Sequence, residues 1–277
     1  MADAVVGRHA PTPSGHLHLG NALAFGAAWL SVRGQGGRLL LRIEDLDRGR
    51  SRPEIAESQR ADLQWLGLSW DAETAPQSTR EYPLDGLPVY LCDCSRKQRL
   101  GGACACRAQP AAEGTWRFRC PPGSVSFVDR VWGPQQYSPG SDPIVRRRNG
   151  EAAYPLAVVL DDARDGVTEV VRGADLLEAT AVQVRLAEAL GLPRPTYLHV
   201  PMLLGADGRK LSKSHGSTEL RALRRAGWTA DDVWATLLPL LGLHVDSLSA
   251  AVSAFDPARV PQRSFTMDAA GRVVAGG

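Results

Sequence analysis

Residues 10–21 read APTPSGHLHLGN and separate a short apolar stretch at 4–6 from a helical-looking one at 22–32. Its prolines and glycines forbid one regular element across the run. The chain must therefore leave a strand, turn, and enter a helix close to its start. GGRLLLRIED, residues 36–45, then reads as a buried strand bounded by glycines. SRPE, residues 51–54, fits a capping box with proline inside the first turn. Ile55, Leu63 and Leu66 follow as a partial helical stripe. Strand, loop, helix, strand, helix is the beginning of a parallel α/β sheet.

A helix starting near Ser14 or Gly15 would hold His16, His18 and Gly20 in or near its first turn. Such an end offers N–H groups and partial positive charge to a phosphate. Gly15 and Gly20 would admit a flat base or phosphate close to the backbone. The ordinary alternative is a capped helix with two surface histidines.

Further along, residues 90–149 are rich in Cys, Gly, Pro and Arg and read as a small inserted domain. Regular α/β signals return at YPLAVVLDD, residues 154–162, where Tyr154 reads locally as a strand residue, and at VTEVVRG, residues 167–173. An amphipathic helix with Leu176, Leu177, Thr180, Ala181, Val184, Ala187 and Leu190 follows, then a buried strand, YLHVPMLLG, at 197–205. Ser217 and Thr229 are plausible N-caps, and residues 233–241 are strongly apolar. The final stretch is weakly patterned.

The chain has 277 residues, 44% of them hydrophobic, enough for a real core. It shows no membrane-length apolar run and no signal-peptide pattern, so the expectation is a cytoplasmic protein with no membrane partner. A net charge of only +2 advertises no global attraction to nucleic acid. Of five cysteines, Cys92, Cys94, Cys104 and Cys106 form C-x-C, nine residues, C-x-C, while Cys120 stands apart as a lone thiol. Four thiolates suit tetrahedral zinc, and Gly101 and Gly102 permit the tight return. Two disulfides, or loose buried thiols, are the alternative. Arg96, Lys97, Arg99 and Arg107 surround the cysteines; they suit RNA phosphate or a merely solvated face, and so does the triplet at 146–148.

GADGRKLSKSHG, residues 205–216, is a polar loop with Lys210 and Lys213. It is not a P-loop, because the required glycine does not precede Lys210. Two mobile ammonium groups can follow a phosphoryl group as charge builds in an in-line displacement. A solvated basic turn is the commoner origin of two nearby lysines.

HLGN at 18–21 resembles the HIGH signature, and KLSKS at 210–214 the KMSKS signature, of class I aminoacyl-tRNA synthetases. GRHAPTPSGHLHLGN (7–21), LLLRIEDLDRGRS (39–51) and VVRGADLLEAT (170–180) resemble the glutamyl branch. The resemblance runs over about residues 5–245. Only residues 215–277 follow KLSKS, whereas glutamyl-tRNA synthetases carry a large C-terminal anticodon-binding region. The short members are the glutamyl-Q tRNA(Asp) synthetases, and this chain resembles them.

That resemblance implies a doubly wound Rossmann-like core with an inserted zinc-binding subdomain and a short helical C-terminal segment. The implied division is 1–89 and 151–216 for the two halves of the core, 90–150 for the insert and 217–277 for the tail. It implies glutamate binding by Arg8, Ala10, Thr12, Glu44, Tyr154 and Arg172. Glu44 would take the ammonium, the arginines a carboxylate, and Tyr154 would close the pocket. It implies ATP binding by His18, Gly20, Asn21 and Lys213. Catalysis would use His18, Lys210 and Lys213, with Mg²⁺ on the phosphates. It implies one structural Zn²⁺ on the four clustered cysteines, Cys104 taking the place of a family tyrosine. The implied partners are L-glutamate and tRNA(Asp) bearing queuosine, and the protein is expected to be a monomer. His9 stands where the family has an aromatic and is expected to alter the pocket wall. Residues 77–90 are shorter than in the family.

Three rivals stand beside this reading. One is a truncated glutamyl-tRNA synthetase that charges a 3′ end. Another is a zinc-stapled RNA-binding paralogue without catalysis. The third is an adenylate-forming ligase with a non-RNA acceptor.

Overall fold

The structure is a computed structural model, and it describes residues 4–95, 98, 104–209, 211, 218–267 and 273–275. β1 (Val6–His9) leads to α1 (Leu19–Gly34), β2 (Arg38–Leu41), α2 (Pro53–Trp65) and the short β3 (Ala72–Glu73). β2 pairs in parallel with both β1 and β3. The strand–helix alternation expected from the sequence is therefore present.

α1 begins later than expected. His18 is its N-cap and Leu19 its first residue, while Ser14 and Gly15 lie in the preceding turn. The cap itself sets the start: the His18 imidazole, not Ser14, accepts from the first free N–H groups, those of Gly20 and Asn21. At α2, proline occupies the first turn as expected, but the capping box does not form. Arg52 is the N-cap and makes no side-chain cap. Ser51 Oγ is buried without a hydrogen-bond partner among the described residues.

Five strands follow: β4 (Val89–Cys92), β5 (Thr115–Phe118), β6 (Val125–Asp129), β7 (Gly133–Tyr137) and β8 (Ile144–Arg146). After them come α3 (Tyr154–Arg164), β9 (Glu169–Gly173), α4 (Ala179–Leu190), β10 (Thr196–Val200) and β11 (Leu203–Leu204). The chain closes with α5 (Leu220–Arg225), α6 (Ala230–Leu237), α7 (Leu248–Ala254), β12 (Phe265–Met267) and β13 (Val273–Ala275).

The segment expected as a single insert is divided. β4, β5 and β8 form their own antiparallel sheet. The β6–β7 hairpin instead joins β10 and β9 in a four-stranded sheet ordered β7-β6-β10-β9. Residues 77–90 pass through a short 3-10 turn and reach β4 without a helix. Gln77 and Tyr82 pin this path by donating to Asp161 Oδ2 at 2.8 and 3.0 Å.

Tyr154 opens a helix rather than extending a strand. Pro155 lies in its first turn, where a fixed φ helps. Ala157 and Asp161, then Val158 and Asp162, are buried four apart, which is a helical face. The strand read over 197–205 breaks at Pro201 into β10 and β11. Thr229 caps α6 as expected, accepting from Asp232 N. Ser217 lies outside the described residues. The weakly patterned tail supplies β12, which pairs in parallel with β11.

The β1–β2–β3 sheet lies beside the β9 sheet. Thr168 N donates to Val6 O at 2.8 Å, and Arg8 Nη1 to Val171 O at 3.2 Å. The chain runs outward from β1 on one side and from β9 on the other. A crevice therefore forms past the carboxyl ends of β1 and β9, where open α/β sheets place ligands.

α1 fills the space behind this crevice, with Leu19, Leu23 and Leu30 fully buried. Its Gly26 is required by packing. A Cβ there would stand 2.6 Å from the Trp234 ring of α6. That ring cannot swing aside cheaply, because Trp234 Nε1 donates to Leu66 O at 2.9 Å. No helix among the described residues is long and apolar enough to cross a membrane.

Candidate active site

The crevice holds a cavity of about 340 Å³, a size suited to a small ligand. β1 and the turn after it supply Arg8, Ala10 and Thr12; Glu44 follows β2. The first residue of α3 supplies Tyr154, and β9 supplies Arg172. The start of α1 adds His18, Gly20 and Asn21. All six residues expected around glutamate and all three described residues expected around ATP thus line one cavity. Lys210 and Lys213 lie outside the described residues. Leu211 between them is described, and it lines the same cavity with Met202 and Leu203.

Beneath Arg8 and Glu44 runs a buried ionic chain that the sequence reading missed. Arg8 Nε meets Asp162 Oδ1 at 3.3 Å, and Arg42 Nη2 meets the same oxygen at 2.7 Å. Arg42 is completely buried and also contacts Glu44 Oε1 at 3.3 Å and Asp165 Oδ2 at 3.0 Å. Burial alone would raise the Asp162 carboxyl, yet Arg8 and Arg42 hold it below the usual aspartate value. Glu44 comes out the other way. Burial lifts its pKa, and the pull of Arg42 and Arg8 does not fully offset that. A carboxylate raised in this way would be stabilised by a further cation beside it.

Arg172 is held by different groups. Its Nη2 donates to Thr180 Oγ1 at 2.7 Å and its Nε to His199 Nε2 at 3.0 Å. Its Nη1 faces the Tyr154 hydroxyl at 3.5 Å. His199 Nδ1 in turn meets Asp129 Oδ2 at 2.7 Å. Burial raises the Tyr154 pKa, so this hydroxyl stays protonated.

His18 is a cap as well as a cavity residue. Its Nδ1 accepts from Gly20 N at 3.1 Å and Asn21 N at 3.3 Å, and its own N donates to Asn21 Oδ1 at 3.1 Å. Nδ1 is therefore unprotonated, and the neutral ring carries its proton on Nε2. The cap also consumes two N–H groups that the sequence reading assigned to phosphate. The turn still presents the positive end of a helix. His16 is not in this turn; its Nδ1 meets Ser58 Oγ at 3.0 Å. His9 does not line the cavity. It is buried edge-on behind Phe25, 5.3 Å between ring centroids. Burial, with Arg33 and Arg8, pushes its pKa down to about 3, so it backs the wall as a neutral ring.

The four clustered cysteines converge. Their Sγ atoms all lie within 4.8 Å of one another. Cys92–Cys104, Cys94–Cys106 and Cys94–Cys104 are 3.4, 3.5 and 3.6 Å apart. Tetrahedral zinc with bonds of about 2.3 Å needs sulfur–sulfur edges of about 3.8 Å, so the donor set fits. None of the five cysteines is in a disulfide. Cys120 is buried apart from the four, and burial raises its thiol. Of the basic residues near the cluster, Arg107 is tied to Asp142 at 2.9 Å; Arg96, Lys97 and Arg99 lie outside the described residues. We expect purified protein to carry one zinc per chain. A Cys92→Ser, Cys94→Ser variant should lose it and melt at lower temperature; metal analysis with a thermal melt checks both.

Arg42, Asp162, His199 and Asp129 are the site-supporting residues that sequence reasoning did not find. The signal that was present is an ionisable residue inside an apolar run: Arg42 in LLLRIED, Asp162 in AVVLDD and His199 in YLHVP. A polar or charged residue in a buried run is informative because it must find a partner.

A family model described as tRNA synthetases class I (E and Q), catalytic domain, matches residues 4–93 and 102–262. A glutamyl-Q tRNA(Asp) synthetase of Symbiobacterium thermophilum is 42% identical, with 95% of this chain and 96% of that protein covered. One from Nocardia farcinica is 40% identical, with 94% and 92% covered. Among solved structures, a glutamate-tRNA synthetase from Elizabethkingia anophelis superposes with a TM-score of 0.80 at 22% identity, over 97% of this chain and 69% of that one. That likeness speaks for the fold alone. With a class I α/β core, a site at its switch point and relatives matched over nearly their whole length, the chain belongs to the class I tRNA synthetases, a ligase in the glutamyl-Q tRNA(Asp) synthetase family.

Proposed function

We propose that this enzyme activates L-glutamate with ATP and transfers the glutamyl group to the queuosine base in the anticodon of tRNA(Asp). The observation that carries the first half is charge matching. Glutamate has two carboxylates and one ammonium; the cavity presents two guanidiniums, Arg8 and Arg172, for the carboxylates, and two carboxylates, Glu44 and Asp175, of which the family resemblance assigns Glu44 to the ammonium. The second half is supported by the relatives' names.

In this reading a carboxylate oxygen of bound glutamate attacks the α-phosphorus of ATP. The bond to pyrophosphate breaks, and glutamyl-adenylate forms. No side chain need act as a nucleophile. Ala10, Thr12 and Tyr154 shape the glutamate end. His18, Gly20 and Asn21 receive the nucleotide, which enters with Mg²⁺ as its phosphate counter-ion. Lys213, supported by Lys210, stabilises the charge that builds as pyrophosphate leaves. A hydroxyl of the modified base then takes the acyl group and AMP departs. The four cysteines would hold a structural zinc that braces the turn between β4 and β5. We take the protein to be a cytoplasmic monomer; a light-scattering mass near 29.8 kDa checks its oligomeric state.

The test is glutamate-dependent ATP–pyrophosphate exchange without tRNA, then label transfer to tRNA(Asp) with and without queuosine. Exchange without tRNA and transfer only to the queuosine form are expected. Charging of tRNA(Glu) instead would favour the truncated synthetase. No exchange under any condition would favour the RNA-binding paralogue. Lys213→Ala is expected to cut exchange at least about 100-fold, the scale of one transition-state donor, while the melting temperature stays within about 2 °C. Exchange at the unmutated rate would remove Lys213 from the mechanism.

A further inference from the structure

We propose that His199 and Asp129 are positioning residues that aim Arg172 into the glutamate pocket, by presenting a lone pair to its Nε. The proposal rests on the reading that Arg172 holds a glutamate carboxylate.

Tautomer logic sets the direction of the chain. Arg172 Nε always carries its proton, so His199 Nε2, 3.0 Å away, must accept. The neutral ring then has its proton on Nδ1, and Nδ1–H donates to Asp129 Oδ2 at 2.7 Å. Asp129 is itself fixed. Its Oδ1 accepts from Val131 N and Trp132 N, both at 2.9 Å, and its Oδ2 also accepts from His199 N at 3.1 Å. His199 is 0% and Asp129 1% exposed, so water does not compete.

Other groups around the imidazole reinforce this. Thr180 Oγ1 lies 3.3 Å from Nε2, sends its proton to Leu176 O at 3.1 Å and accepts from Arg172 Nη2 at 2.7 Å. The Tyr197 ring stacks on the imidazole at 6.2 Å, and Trp132 Nε1 donates to His199 O at 2.9 Å. Burial, with the Arg172 cation beside it, keeps His199 below the ordinary histidine value against the pull of Asp129 and Asp175. The guanidinium is thus anchored along its Nε–Nη2 edge. Its Nη1 is left facing Tyr154 and the cavity. An arginine without that anchor would have to be ordered by the substrate itself, at a cost in affinity.

Two substitutions separate the halves of the chain. In His199→Gln the amide oxygen can stand near Nε2 and accept from Arg172. In His199→Asn the shorter amide reaches only Asp129. We expect His199→Asn to raise the KM for glutamate about tenfold or more while the KM for ATP stays within about twofold, and His199→Gln to recover most of the loss. Equal KM values for glutamate in the two variants, or a parallel rise in the KM for ATP, would overturn the proposal.

A second readout does not depend on activity. Imidazole ¹⁵N shifts should show Nδ1 protonated and Nε2 bare in the unmodified protein. In Asp129→Asn the two backbone donors keep the amide oxygen at the Oδ1 position, so the NH₂ faces Nδ1 and the tautomer reverses. Finding Nε2 protonated in the unmodified protein overturns the relay. Absence of glutamate-dependent exchange in the unmodified protein would instead strike the assignment of Arg172 to glutamate, and the ¹⁵N shifts would still decide the relay.

Discussion

Asp162→Ala is expected to destabilise the fold by about 3 kcal/mol or more, the scale of removing one partner from a buried ion pair. Asp162 is 6% exposed and one of its oxygens serves both Arg8 and Arg42. Arg42 would keep Asp165 and Glu44. Arg8 would keep only the Val171 carbonyl among its described partners. The unpaired charge therefore falls on a pocket arginine, and glutamate-dependent exchange should fall together with stability. The pH dependence carries a sign. A carboxyl whose pKa is depressed by folding stabilises the protein above its unfolded value, and that contribution is lost as pH falls through the folded one. Asp162 is depressed. The stability gap between the unmodified protein and Asp162→Ala should therefore be widest at neutral pH and narrow below about pH 4, the ordinary aspartate range. Urea unfolding of both proteins across that range measures it. A gap under about 1 kcal/mol at pH 7 would mean that water or relaxation replaces the lost partner.

The same residues explain what the sequence could and could not disclose. Arg8, Glu44, Tyr154 and Arg172 were legible only through the family resemblance of the stretches that carry them; by local pattern alone Arg8 and Glu44 read as surface charges and Tyr154 as a strand residue. The ionic chain under them was not. Arg42 and Asp162 are 120 residues apart, and His199 and Asp129 are 70 apart. Local pattern shows that a charge interrupts an apolar run but not which distant charge answers it. α3 was misread for a related reason. Val158 and Val159 favour a strand, but the fold needs Asp161 and Asp162 on one buried face, and tertiary demand overrode propensity. The start of α1 was read too early because Ser14 is an ordinary capping residue, whereas the cap is made by His18, whose imidazole is not among the usual N-caps. β12 was invisible because it is only three residues long and is placed by pairing with β11, a strand far upstream, as well as with the equally short β13.

Glu44 leads to the opposite kind of result. Glu44→Gln is expected to leave the ligand-free protein as stable as before, or more stable, while strongly weakening its use of glutamate. Burial raises the pKa of Glu44 despite Arg42 and Arg8, so at neutral pH its charge opposes folding. The linkage runs in reverse to that of Asp162. A carboxyl raised by folding costs nothing below its unfolded pKa, and the penalty grows as pH rises through the folded value. The stability of Glu44→Gln relative to the unmodified protein should therefore improve as pH rises from about 4 toward neutrality. Function should move the other way. A neutral amide cannot answer an ammonium, and losing one buried partner of a charge pair costs about 2–5 kcal/mol. That is a rise of about 30-fold or more in the KM for glutamate, at about 1.4 kcal/mol per tenfold. The KM for ATP should change little, because Glu44 is not among the residues assigned to the nucleotide. Thermal melts with and without glutamate supply an independent readout. Glutamate should raise the melting temperature of the unmodified protein and not that of the variant. A variant that is both less stable and still stabilised by glutamate would show that Glu44 braces Arg42 instead of waiting for an ammonium.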